Sequence, residues 1–122
     1  MPRAAPHRSL RYLQTISLFA NLLTMTALLA KLTALANPKR LKILELLAEP
    51  GRHFGPGCYD QAAGVCGLYL AQALGISPPT ASSHLKLLEQ AGFLTAQRIG
   101  KFTYFKRTPG ASRDLADTIR SL

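Results

Sequence analysis

From Tyr12 to Ala30 the chain runs for nineteen residues without a charge. Nothing else in the sequence limits the fold so strongly, because an apolar stretch of that length must be covered by something. A bilayer is one cover, since a membrane span needs about 20 predominantly apolar residues. A secretory leader is another: Arg3, Arg8 and Arg11 precede the stretch, and Ala34-Leu35-Ala36 supplies a small-x-small end. Both readings are weakened by Gln14, Thr15, Ser17, Asn21, Thr24 and Thr26 within the stretch and by Lys31 just after it. Helical patterning also carries on past the supposed cleavage site to Ala48. The reading that fits is a long helix, residues 10–36, buried against a second copy of the chain, with no membrane expected. Residues 1–9, with two prolines and two arginines, are expected to be a flexible N-terminus. Met25 is an alternative start, which would make residues 1–24 extra chain.

The net charge is +9, from 15 Lys and Arg against 6 Asp and Glu, which points to an anionic partner. The surplus is uneven, for the first acid in the chain is Glu45. A length of 122 residues allows one domain with a modest core. Two cysteines are too few for a disulfide scaffold, so a reducing cytoplasm is the expected location.

Asn37-Pro38 reads as a cap followed by the first residue of a new helix. That helix, PKRLKILELLAE, is expected to turn Leu41, Leu44 and Leu47 or Ala48 to the core. Residues 51–64 are Gly-rich without a period and read as a loop. A further helix is expected from Val65 to Leu74, stopped by Gly75. After only a few residues, Ser77 caps another, with Pro78 at its first position and Gly92 beyond its end. Its first turn, Pro-Pro-Thr-Ala-Ser-Ser, is small, polar and free of acid, although a helix dipole favours anions there. Phosphate from outside would supply the missing charge. Residues 93–108 then alternate about Gly100-Lys101 as a β-hairpin, and a last helix is expected over Ser112 to Leu122.

Two helices joined by a short Gly-containing turn and followed by a basic hairpin form a winged helix-turn-helix, here over residues 65–91 and 93–108 of one domain, 10–122. The expected fold class is mostly α with a small β-hairpin wing, and dimeric. Leu70, Leu74, Ile76, Ala81, Leu85 and Leu88 would close the core between the two helices. Pro79, Thr80, Ser82, Ser83 and Lys86 would then face outward, small enough to enter a major groove about 12 Å wide. Arg98, Lys101, Lys106 and Arg107 have no acid near them in sequence and suit a phosphate backbone. Double-stranded DNA carrying an inverted repeat is the expected partner. A winged helix that binds protein or associates with a membrane is the alternative. No enzyme constellation is visible.

The stretches ALANPKRLKILELL and GVCGLYLAQALGISPPTASSHLKLLEQAGFLTAQRIGKFTYFKR resemble the ArsR/SmtB family of bacterial metal- and thiol-responsive repressors. The resemblance runs from about Leu32 to Arg107. Its most specific parts are L-x-x-P-x-R-L-x-I-L, then S-x-H-L-x-x-L at Ser82 to Leu88, then A-G-x-L at Ala91 to Leu94. It implies a homodimeric transcriptional repressor released from its operator by an inducer, with the first and last helices forming the dimer interface. It also implies that the reading positions are Pro79, Thr80, Ser82 and Ser83. Family members often carry Gln or Arg at such positions, so base readout here would lean on water and DNA shape. His84 falls at a position usually given to packing within the fold.

Arsenic sensors of that family carry C-x-C ahead of the reading helix, where this chain has Gly64-Val65-Cys66. Cys58 lies eight residues before Cys66, with His53 and Asp60 nearby. A thiolate pair with His53 would suit a thiophilic metal or metalloid ion as inducer. Two thiols alone would suit a disulfide switch, and a buried small hydrophobe beside a stray loop thiol is the plain alternative. Asp114 and Asp117 lack the His that a zinc site across the C-terminal helices needs, and read as a solvated face.

Overall fold

The computed structural model describes the backbone of residues 5–122 and the side chains of residues 10–122. Helix α1 spans Ala5–Leu35, α2 Pro38–Ala48 and the short α3 Pro50–His53. Strands β1 (Tyr59–Asp60) and β2 (Gly64–Cys66) follow, then α4 (Gly67–Leu74) and α5 (Pro78–Gln90). Strands β3 (Leu94–Ile99) and β4 (Phe102–Arg107) form the hairpin, and α6 (Ala111–Arg120) closes the chain.

α1 begins within the stretch expected to be a flexible terminus. Residues 1–4 of the supposed flexible terminus lie outside the described residues, and Ala5–Ser9 belong to α1. Pro6 does not prevent this, because proline is tolerated in a first helical turn, where its missing N–H has no acceptor anyway.

α1 docks only by its last two turns. Ala34 is buried in the core, with Leu28 and Leu35 packed against it. Leu10 to Ala27 are exposed in a single copy of the chain, including Leu13, Leu18, Phe19, Leu22 and Leu23. The helix is long and apolar enough to cross a membrane, with mean hydropathy 1.6 over its best stretch. Yet Gln14, Ser17, Asn21, Thr24 and Lys31 recur at three-, four- and seven-residue steps. At 3.6 residues per turn they fall on one stripe roughly 100° wide. The Thr15, Thr24 and Thr26 hydroxyls donate to their own i−4 carbonyls and so need no outside partner.

Asn37 caps α2 as the sequence suggested, its side chain accepting from the Lys39 and Arg40 amides. The face that α2 buries is Ile43, Leu44, Leu46 and Leu47; Leu41 is 52% exposed and Ala48 is exposed too. A leucine repeat read from Leu41 places the stripe about a quarter turn off, because β-branched Ile43 takes the centre of the core. Arg40 then ties three helices together. It donates to the Ala34 carbonyl at 2.6 Å, an acceptor at the end of α1, and to the Thr33 carbonyl at 3.2 Å, which also accepts the Ala36 amide. Its third contact is His84 Nδ1 in α5, at 3.1 Å. Burial, with Arg40 and Lys39 beside it, holds the His84 pKa below its ordinary value. The position is structural, as expected of a packing histidine.

The expected loop 51–64 is largely ordered instead. Asp60 Oδ1 accepts the amides of Ala62 and Ala63, each at 2.8 Å, and this turn pairs β1 with β2. β2 in turn pairs with β4, giving one antiparallel sheet in the order β1-β2-β4-β3. The helix expected from Val65 therefore begins two residues later, at Gly67. Val65 and Phe105, partners across β2 and β4, join the core beneath α4 and α5. At Gly64 the chain passes so close to Phe105 that a Cβ would lie 1.9 Å from its carbonyl oxygen.

Candidate nucleic-acid interface

α4 ends in a Schellman turn. The Gly75 amide bonds the Gln72 carbonyl and the Ile76 amide bonds the Ala71 carbonyl, each at 3.1 Å, with Gly75 left-handed at φ 67°. Only Gly75, Ile76 and Ser77 separate α4 from α5, so the two helices cross at a fixed angle. Ser77 Oγ accepts the Thr80 amide at 3.3 Å and Pro78 takes the first position. The far end repeats the device: the Gly92 and Phe93 amides bond the Glu89 and Leu88 carbonyls, at 2.9 and 3.0 Å. Phe93 is driven into the core by that turn.

Between these stops α5 buries Ala81, Leu85 and Leu88 at i, i+4 and i+7, against Leu70 and Leu74 of α4. Ile76 packs at the edge. The opposite face presents Pro79, Thr80, Ser82, Ser83 and Lys86, all exposed. Ser83 donates to the Pro79 carbonyl at 3.2 Å and Thr80 Oγ1 accepts from Ser77 Oγ at 2.9 Å. These hydroxyls lie on a narrow helix front free of acid, whose one charge is Lys86.

The hairpin divides the four cations grouped in the sequence. Arg98 and Lys101 sit at or beside the Gly100 turn, with Arg98 Nε donating to the Gly100 carbonyl at 3.3 Å. A cleft of about 320 Å³ separates this tip from α5 and is lined by Pro78, Ser82, Lys101, Phe102 and Cys66 among others. Lys106 and Arg107 lie toward the hairpin's base, three and four residues along β4 from Thr103, the partner of Arg98, or about 10 and 13 Å. Arg107 is half-buried, with its guanidinium donating to the Leu44 carbonyl and the Ser112 hydroxyl. A strand alternates its side chains, so consecutive basic residues cannot share one face. The tip retains Arg98 and Lys101; the base belongs to another surface.

The thiols are better placed than their spacing suggested. Tyr59 pairs with Val65 and Asp60 with Gly64, so Cys58 extends the same register opposite Cys66. The Cys66 amide bonds the Cys58 carbonyl at 3.4 Å. Cys66 is buried, Cys58 half-buried, and neither is bridged. Opposite residues of an antiparallel pair have Cα atoms about 4.5–5.5 Å apart, within the reach of a disulfide. His53 does not join them. Among the described residues no group of three or more His, Cys, Asp or Glu is placed to hold a metal ion. His53 ends α3, several residues short of the β1–β2 turn, and backbone pairing aligns Cys58 with Cys66 alone. The signal for this hairpin was present as Cys-Tyr and Val-Cys flanking Asp-Gln-Ala-Ala-Gly, but each strand is too short to show a period.

Comparison with known proteins agrees with this geometry. The family model for "Bacterial regulatory protein, arsR family" matches residues 65–96, which hold α4, the turn, α5 and the start of β3. A relative from Bacillus subtilis (strain 168), an uncharacterized HTH-type transcriptional regulator, YbzH, is 43% identical over 90 residues, 72% of this chain and 90% of that protein. The homodimeric winged helix-turn-helix DNA-binding domain Mb0332 from Mycobacterium bovis, solved by NMR, is 26% identical with a TM-score of 0.59, covering 80% of each chain. The antimony-specific transcriptional repressor AntR is 27% identical with a TM-score of 0.52, covering 75% of this chain and 73% of its own. Family and fold are those of DNA-binding regulators rather than of enzymes. The chain belongs to the arsR family of bacterial regulatory proteins and is a DNA-binding winged helix-turn-helix transcriptional regulator.

Proposed function

We propose that the protein is a homodimeric repressor that occupies an inverted-repeat operator in the cytoplasm and leaves it when an inducer acts. The observation that carries this reading is the acid-free front of α5 beside the cationic wing tip. In this reading Pro79, Thr80, Ser82, Ser83 and Lys86 meet base edges or nearby phosphates in the major groove, and Arg98 and Lys101 meet phosphate. Lys106 and Arg107 lie nearer the hairpin's base, and Arg107 is tied to the Leu44 carbonyl and the Ser112 hydroxyl, so this reading gives the phosphate role first to the tip pair. The homodimeric state of Mb0332 and the exposed apolar side of α1 both support a second copy as the cover for residues 10–27. That cover also favours the regulator over a membrane-associated or protein-binding module, since the polar stripe of α1 is left to water.

The test separates the two kinds of contact. Binding to a palindromic duplex is measured across a salt series for Arg98→Ala, Lys101→Ala, Ser82→Ala and Ser83→Ala. Each wing variant is expected to weaken binding to all sequences alike and to reduce the slope of log K against log salt by about 0.9. The serine variants are expected to alter preference among sequences and leave the slope unchanged. Unchanged salt slopes in both wing variants would remove the hairpin from the interface.

For the inducer, the facing thiols favour a two-cysteine switch over an ion held with His53. A peroxide would oxidise the pair, the two thiols giving up two electrons and two protons as the sulfurs join and the peroxide leaves as water. The new bond would bind β1 to β2 directly behind the cleft that Cys66 lines. Arsenite, bridging the same two sulfurs, would act at the same place. DNA release on adding peroxide or arsenite is expected in the parent protein and absent in Cys58→Ser and in Cys66→Ser. Release persisting in both variants would make these thiols structural.

A further inference from the structure

A cavity of about 870 Å³ opens at the base of the hairpin, between the end of α2, the β1–β2 turn, the end of β4 and the start of α6. Its size is that of a small-molecule site. Lys106, Arg107 and Arg113 line it, with Asp60 the one acid in its wall. Asp60 Oδ1 is turned to the Ala62 and Ala63 amides and keeps its charge, so three cations against one acid leave the wall with a net positive charge. Among the described residues the ion pairs are Lys42–Glu45, Arg52–Glu49 and Arg120–Asp117, and none of the three cavity cations takes part in one.

Arg107 is the most telling. Half-buried, it is held in place by a carbonyl and a hydroxyl, which orient a guanidinium without neutralising it. A cation withdrawn from water without a counter-charge is costly unless an anion joins it. The other walls are different in kind: Leu47, Tyr59 and Pro109 give the same cavity an apolar side.

We propose that this cavity binds a small organic anion, its phosphate or carboxylate held by Arg107 and Arg113 and its apolar part lying on Leu47, Tyr59 and Pro109, with Lys106, which leaves β4 on the other face, adding positive charge at the rim. Arginine's planar fork matches the oxygens of either anion. Binding stands apart from the operator reading; only its consequence rests on that reading. The walls join α6 to the root of β4, so a ligand favouring one docking of α6 would shift the wing with it and change operator affinity.

The probes are phenyl phosphate and benzoate, with benzyl alcohol as the neutral counterpart, titrated calorimetrically into the full chain. Saturable heat from one or both anions and none from the alcohol is expected, and the stronger anion identifies which head group the site prefers. Lys106→Gln with Arg113→Gln, both at exposed side chains, is expected to weaken that binding at least about tenfold. Arg107→Gln should abolish it, but the double variant decides the matter because it leaves the core untouched. No saturable binding of either anion, or equal binding by the parent and the double variant, would overturn the site. So would a loss of duplex affinity in the probe-free double variant as large as its loss of probe binding, since the cations would then be DNA contacts. Failure of the parent chain to bind any duplex would count against the operator reading while leaving saturable anion binding as support for the cavity.

Discussion

Gly64→Ala is expected to destabilise the domain by about 4 kcal/mol, a large share of the roughly 5–15 kcal/mol that keeps a domain folded. The alanine Cβ would stand 1.9 Å from the Phe105 carbonyl oxygen, 2.5 Å from its carbon and 2.9 Å from Lys106 Cβ. Two of those three atoms are backbone, so no side-chain rotation relieves the clash. The residue also sits at φ 101°, which costs an L side chain strain even in open space. Relief requires β2 to part from β4, breaking the Val65–Phe105 and Cys66–Tyr104 pairs that fasten the wing to the core. Gly57→Ala is the control, for nothing lies within 4 Å of its added Cβ and its φ is ordinary; its effect should stay within about 0.5 kcal/mol. Thermal melts followed by circular dichroism measure both. A Gly64→Ala melting point within about 2 °C of the parent would refute the close approach. The same geometry bears on the arsenic-sensor resemblance. Cysteine at position 64 would restore the C-x-C spacing and meet the same carbonyl, so the spacing cannot be restored without moving a strand.

The second large effect is on assembly. Leu18 and Leu22 are 64% and 61% exposed in a single copy, one turn apart on α1. Leu18→Glu with Leu22→Glu leaves every core contact in place, and the melting transition of the single chain should survive it. The proposed dimer should not, because closing the interface would bury four unpaired carboxylates. Operator affinity is then expected to fall by about 10²–10⁴-fold. A monomer reads one half-site and loses the effective concentration that the second head supplies. Sedimentation gives the assembly state and gel shift the affinity. A double variant that remains dimeric, or binds the full operator as tightly as the parent, would place the interface elsewhere.

Much of the fold was legible because it is coded locally. Asn37-Pro38, Ser77-Pro78, Gly75 and Gly92 each specify a helix end through their own backbone preferences and side-chain acceptors, and each end falls where those residues place it. The turn between α4 and α5, the outward front of α5 and the hairpin about Gly100 follow from such signals and from period. The arsR-family resemblance rests on the same stretch.

What could not be read locally depends on which segment lies against which. The face buried by α2 is chosen by α1, α4 and α5 together, so Ile43 displaced Leu41. The short strands β1 and β2 have too few residues to show alternation, and β2 exists because β4, some forty residues later, offers it an edge. From that one long-range pairing follows the need for glycine at position 64, whereas the opposition of Cys58 and Cys66 comes from the short β1–β2 hairpin and the place of Lys106 and Arg107 from the β3–β4 register. The sequence by itself determined the helix ends, the reading helix and the family. The tertiary structure alone decided the edge on which β2 forms and what the base of β4 faces, because backbone pairing across distant segments leaves no mark on either segment until both are in place.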